Sequence, residues 1–321
     1  MRQLVNSLAN NQIAKLPNWF LASCFLLLTC CNTSTKTSDI PNTPTSGELK
    51  VFCEEGMFLH IRNQAYTFEQ IYHNSKINVN YVNEKQAIEG LYNDSCKVII
   101  ISRVLSTDEL KKFKAKNLYP TQICIAKSAL AFVMPVNSAD SVISTDRIKR
   151  IISGEDTTHN MVFDNDNSGV TRFLKDTMLQ GKTFGKNCFA LKNTTELINH
   201  ISATKNTIGV LDYAWLSDLD DSTTKVFLNK VKILAVSDSR PKAQDSRLKL
   251  AYMPDQSNIQ TNDYPLCRHV YAIRRSAEFS LGTGFSLFVA GQKGQIMFLK
   301  QGLIPFVQPN RAVEVNTEPL H

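Results

Sequence analysis

No two cysteines stand at CxxC spacing, although the chain carries eight of them in 321 residues. That excludes thiolate sites of the zinc-ribbon and thioredoxin types, and eight is too sparse a count for a disulfide scaffold. There is no dense block of one charge either. Lys and Arg are scattered, so the net charge of +7 permits an anionic partner without pointing to nucleic acid. It also suits capture of a small anion. The GxSxG elbow, the HExxH zinc helix and the GxGxxG dinucleotide loop are all missing. The six histidines (His60, His73, His159, His200, His269 and His321) are dispersed. A Ser168 nucleophile served by His200 or His269 would have no evident third group to orient its base, so an enzyme is not indicated. No repeat of fixed period is visible, and no apolar run reaches the roughly 20 residues that cross a bilayer.

What is present describes an exported globular protein. Apolar residues at 43% and charged residues at 20% lie in the globular range, and the length allows one large or two medium domains. Arg2 and Lys15 precede a ten-residue apolar run, Trp19 to Leu28, of the size of a secretory h-region. Thr29-Cys30-Cys31 follows and resembles a bacterial lipobox. Lipidation needs a thiol directly after the cleavage point, which Cys30 or Cys31 would supply. Residues 1–30 are therefore expected to be a lipoprotein signal peptide. The polar, Pro-spaced residues 31–47 are expected to be a flexible linker.

Beyond Gly47 short strands alternate with capped helices, the pattern of an α/β fold. Strand candidates are Leu49–Cys53, Ile77–Tyr81, Lys97–Ile101, Ile123–Val133, Met161–Phe163 and Ile208–Leu211. Helical spacing or capping marks Phe68–Tyr72, the segment after Ser106-Thr107-Asp108-Glu109, Thr145–Ser153, Thr171–Leu179, Thr195–Ala203 and Phe285–Gln301, the last interrupted at Gly291 and Gly294. Because helices separate most strands, parallel sheets are expected. About 270 ordered residues would be large for one doubly wound sheet, so two lobes with a cleft between them are expected. Ligands of such sheets bind at the carboxyl ends of strands.

The turn from Met161 to Phe173 carries the most chemistry. An apolar strand ends in Asp164-Asn165-Asp166-Asn167, and Ser168 can cap a helix starting at Gly169. The free N–H groups of that first turn, with Ser168 and Thr171 hydroxyls, can receive a tetrahedral oxyanion. Asp164, Asp166, Ser168 and Gly169 also match half an EF-hand loop, but Lys175 stands where the bidentate Glu must be, so no metal is expected. Ile101-Ser102-Arg103 is a second candidate. Arg103 can offer its fork of donors to an oxyanion or pair with Glu109. Arg268, entering a strand, is a third cation.

The first-strand loop Cys53-Glu54-Glu55-Gly56-Met57, Ser102-Arg103, Ser168-Gly169-Val170-Thr171-Arg172, Ile208-Gly209-Val210, Tyr264-Pro265-Leu266-Cys267-Arg268, Gly282-Thr283-Gly284-Phe285, Gly291-Gln292-Lys293-Gly294-Gln295 and Lys300-Gln301-Gly302-Leu303-Ile304-Pro305 occur in an order that resembles the phosphate-binding lipoproteins of ABC importers, in their Bacteroidetes branch. The resemblance spans roughly residues 48 to 311. It implies a type II periplasmic-binding-protein fold of two α/β lobes closing on one inorganic phosphate, with lobe 1 at 48–127 and 266–321 and lobe 2 at 128–265. It implies a non-enzymatic, monomeric lipoprotein on the periplasmic face that needs no cofactor, binds no nucleic acid and delivers to ABC permease and ATPase subunits. The implied phosphate site comprises Glu54, Glu55, Gly56, Ser102, Arg103, Ser168, Gly169, Val170, Thr171 and Arg172. Val170 stands where the family's loop has Thr, and Asp164 stands where the family has Arg. Arg103 and Arg172 are then the expected replacements, oriented by Asp164 or Asp166. Glu54 or Glu55 is expected to accept the proton of hydrogen phosphate. Another oxyanion, or a degenerate lobe acting as a sensor or adhesive lipoprotein, remains the alternative, with a Ser-dependent hydrolase further behind.

Overall fold

The computed structural model describes residues 41–238 and 250–309. The signal-peptide reading of 1–30, both lipidation candidates Cys30 and Cys31, and linker residues 31–40 lie outside the described residues. Residues 41–47 are not a leash. Thr43 and Ser46 close a turn on each other's backbone, and the Asn42 side chain accepts from Leu281 N at 3.0 Å. Pro44 lies so close to Gly284 that a Cβ there would overlap its carbonyl oxygen. The polar composition suggested disorder, but a turn can be held by packing that its own sequence does not advertise.

In chain order the first elements are β1 (Gly47–Glu54), α1 (Phe58–Ile71), β2 (Ser75–Val82), α2 (Glu84–Tyr92), β3 (Val98–Ile101), α3 (Thr107–Ala115) and the long β4 (Thr121–Pro135). Then come β5 (Val142–Ser144), α4 (Thr145–Ser153), β6 (Asn160–Phe163), α5 (Gly169–Leu179), β7 (Cys188–Ala190), α6 (Thr194–Ala203) and β8 (Thr207–Asp212). The chain continues through α7 (Ala214–Ser217), α8 (Ser222–Leu228), β9 (Val231–Ile233), β10 (Ala235–Ser237), β11 (Ala251–Tyr252) and α9 (Gln256–Gln260). It returns by β12 (Cys267–Arg274), α10 (Leu281–Ala290), α11 (Gln292–Lys300) and β13 (Ile304–Pro305).

Several starts are written in the sequence. Ser106 and Glu109 form the capping box of α3, Asn83 and Gln86 that of α2, and Gly154 ends α4 in the left-handed region with φ 83°. The C-terminal helix breaks once, at Gly291, and Gly294 lies inside α11.

Among the described residues one ten-stranded sheet runs β2-β1-β3-β12-β4-β8-β6-β7, with β9 and β13 also on β4. β4 joins its two halves. Residues from Thr121 to Ala129 pair with β12, whereas Leu130 to Val133 pair with β8. β1 lies parallel between β2 and β3, and β6 parallel between β7 and β8. The expectation of parallel sheets fails at the centre: β12 is antiparallel to β3 and β4, and β4 is antiparallel to β8. The reason is topological, since β4 carries the chain into the second half and β12 carries it back alongside.

Both halves are covered on both faces. Val98 and Ile100 of β3 enter one core with Val51, Phe68 and Phe285, while Ile99 and Ile101 enter another with Leu91, Phe113 and Ile273. In the second half Phe132 packs with Ile148, Phe163 and Leu174, and Val133 with Leu197, Ile201 and Trp215. Sheets buried this way read as continuous aliphatic runs. Among the described residues no helix is long and apolar enough to cross a membrane.

Candidate functional site

The parallel register fixes what emerges at the strand ends. Cys53 is paired with Ile100, so Glu54 and Ser102 leave the first half of the sheet side by side. Phe163 is paired with Val210, so Asp164 and Asp212 leave the second half together. Ser168 then caps α5, its Oγ accepting from Thr171 N at 3.2 Å and donating to Asp164 Oδ1 at 2.7 Å. Gly169 thereby points its N–H across to the first half.

What meets that N–H is a side chain of this protein. Glu54 Oε1 accepts from Gly169 N at 3.0 Å, and Glu54 Oε2 accepts from Ser102 N at 3.0 Å and from Ser102 Oγ at 2.7 Å. Glu54 is only 3% exposed. Behind it Arg268, also buried, is paired through Nη2 with Asp212 Oδ2, and its Nη1 lies 3.8 Å from Glu54 Oε1. Asp212 Oδ1 accepts from Ser128 Oγ and from Ala214 N. Arg268 Nε and Nη1 have no hydrogen-bond partner. Burial raises the Glu54 pKa, with Arg268 acting against it and Glu84 reinforcing it. Burial likewise pushes Asp164 up to about 7, although the Ser168 hydroxyl works against the rise.

A second bridge crosses nearer solvent. Glu84, at the first position of α2, accepts through Oε1 from Arg103 Nε at 2.8 Å and from Arg172 Nε at 2.7 Å. Arg103 also grips Glu109 with both terminal nitrogens, at 2.7 and 2.8 Å, and Arg172 reaches Asp176 at 3.2 Å. These groups border a groove of about 930 Å³ together with Ser168 and Thr171.

Most of the residues singled out from the sequence therefore converge, and the structure gives each of them a partner within the protein. Ser102 and Gly169 are donors to one acceptor. Ser168 is a cap, Val170 is a core residue at 1% exposure, and Thr171 Oγ1 donates to Asn165 O. Arg103 and Arg172 are not oriented by Asp164 or Asp166. Glu84, Glu109 and Asp176 hold them: Arg103 through all three of its nitrogens and Arg172 through Nε and Nη1. Glu55 turns away to accept from Thr194 N at 3.1 Å, so Glu54 alone remains at the cleft. Gly56 packs against Asp212, where a Cβ would come within 2.9 Å of the aspartate's own Cβ. The sequence reading missed Glu84, Asp212 and Ser128, and underrated Arg268. An arginine on the same strand face as Val270 and Ala272 was the available signal.

The arrangement defines a binding cleft between two α/β lobes. The model of the PBP superfamily domain matches residues 41–293, so the chain belongs to the PBP superfamily. In fold it is similar to a phosphate ABC transporter substrate-binding protein from Clostridium perfringens solved with bound phosphate. That match has 16% identity and a TM-score of 0.66, covering 81% of this chain and 100% of the other. An ABC-type phosphate transport receptor from Vibrio cholerae matches at 14% identity and TM-score 0.59, again covering 81% and 100%. The regulatory domain of a LysR family regulator from N. meningitidis matches at 12% identity and TM-score 0.51, covering 81% and 99%. No curated protein matches the chain. Such identities speak for the fold and leave the ligand to the site.

Proposed function

We propose that this chain is an extracytoplasmic substrate-binding lipoprotein that takes inorganic phosphate between its lobes and hands it to an ABC permease and ATPase. In this reading the signal peptide is removed, the lipid is carried on Cys30 or Cys31 at the periplasmic face, and the protein works as a monomer. The lobes are residues 48–127 with 266–321, and 128–265, a division supported by the change of β4 partner after Ala129.

One observation carries the reading: Ser102 N–H, Ser102 Oγ–H and Gly169 N–H, drawn from both halves, already converge on a single anion, with two unfilled Arg268 donors behind it. A phosphate at that point would gain charge-assisted hydrogen bonds of about 1.5–3 kcal/mol each. Four or five of them meet the roughly 8 kcal/mol of micromolar binding after association costs. Hydrogen phosphate carries a proton that sulfate lacks, and a carboxylate lining the cleft would accept it.

A second reading has its own observation. Both groove arginines are spent on carboxylates, which favours a lobe that has given up phosphate and serves as a sensor or adhesive surface. Calorimetric titration of the full-length protein with phosphate, arsenate, sulfate and molybdate separates the two. Heat from phosphate and arsenate alone is the expected result. Sulfate or molybdate binding would name a different oxyanion, and no heat from any of the four would favour the second reading.

A further inference from the structure

We infer that the Glu54 carboxylate is a built-in occupant of the oxyanion cradle, holding the two lobes together and swinging out before an external anion can enter. A carboxylate offers two oxygens, and both are used: Oε2 by the two Ser102 donors and Oε1 by Gly169 N. Neither oxygen reaches the remaining donors, because Arg268 Nη1 stands 3.8 Å from Oε1 and makes no hydrogen bond, and Arg268 Nε is likewise unmatched. The cradle thus holds more buried donors than its occupant can satisfy. A tetrahedral anion has two further oxygens for them.

The bond to Gly169 joins residues 115 apart in sequence and belonging to different halves of the sheet, so the occupant is also a latch. Its fit depends on residue 169 having no side chain. A Cβ there would overlap Glu54 Oε1 and come within 2.6 Å of Ser102 Oγ and 2.8 Å of Glu84 Oε2. An internal competitor that fills the cradle about nine-tenths of the time weakens the apparent affinity for an outside ligand about tenfold.

The competition rests on the phosphate reading above, whereas the latch does not. The test uses the full-length protein and its Glu54→Ala, Glu54→Gln and Gly169→Ala variants, each first checked for a cooperative thermal transition. Small-angle scattering without phosphate should show a larger radius of gyration for Glu54→Ala and Gly169→Ala than for wild type. Glu54→Gln keeps the shape without the charge and should fall between. Calorimetry should then show phosphate bound at least about tenfold more tightly by Glu54→Ala than by wild type. Equal radii for all four proteins would overturn the latch. Weaker phosphate binding by Glu54→Ala would overturn the competition and make Glu54 a ligand contact instead. If neither wild type nor Glu54→Ala takes up phosphate, the phosphate reading falls, and the radii alone decide for or against Glu54 as the closing group.

Discussion

Glu54 and Glu84 both reach from the first half of the sheet to donors in the second, yet they do so in opposite surroundings. Glu54 sits with Arg268, Asp212 and Ser128 in a cluster from which water is nearly absent, and each of the three charged side chains there is at most 3% exposed. Glu84 is itself buried, but its two arginines are 21% and 28% exposed and each has a second carboxylate in reach. Deep charges interact strongly and are expensive to leave unpaired, while those near solvent are screened and replaceable. The inner cluster should therefore govern whether the cleft exists, and the outer bridge how firmly it is shut.

The largest test of this contrast is Arg268→Ala. It strands Asp212 and Glu54 without a cation and should remove about 3–5 kcal/mol in denaturant unfolding, with little dependence on salt. A loss below about 1 kcal/mol would break the contrast. Asp164→Asn comes next and acts in the other direction. The Asp164 pKa stands at about 7 in place of 3.8, so the folded protein keeps a proton that the unfolded chain has released. Stability contributed by this group therefore falls as pH rises from about 4 to about 7 and is flat above. The Asn variant should gain roughly 2–4 kcal/mol at pH 8 and lose that slope.

His60 runs opposite, because burial lowers its pKa from 6.5 to about 4 and acid then favours the unfolded chain. The slope must accordingly be read as wild type minus variant. Glu84→Gln should cost about 1.5–3 kcal/mol at low salt, and the difference should shrink as salt is added. A salt-independent cost would move Glu84 into the class of Glu54. Ser168→Ala should cost least, about 1 kcal/mol for the lost cap. Thermal unfolding checks it, and a much larger loss would show the Asp164 link to be part of the inner cluster.

The contrast also marks where sequence reasoning stopped. Strand β3 and helices α3, α4 and α5 were legible because aliphatic runs and caps act within a few residues. The mixed sheet was not, since nothing local says that β12 returns beside β4. In β1 the alternation Leu49, Val51, Cys53 puts Glu54 on the opposite face, with the exposed Glu48 and Lys50 and the half-buried Phe52. Glu54 is buried because the strand ends there and the second half closes over it. Glu84 reads as an ordinary acid in the first turn of a helix, favoured by the helix dipole. Arg172, 88 residues away, gives it a different task. Arg103 shows the same limit, for its pairing with Glu109 was one of two readings its position allowed, and only the fold chose.

The sequence by itself determined the alternation of strand and helix, the Ser168 cap and the presence of donors at the start of α5, because these depend on backbone preference and on neighbours a few positions apart. Tertiary structure alone decided which acceptor those donors meet and which charges lose their water. A charge takes its energy from what surrounds it, and around Glu54 those surroundings arrive from Ser102, 48 residues downstream, and from Gly169 and Arg268, more than a hundred residues downstream.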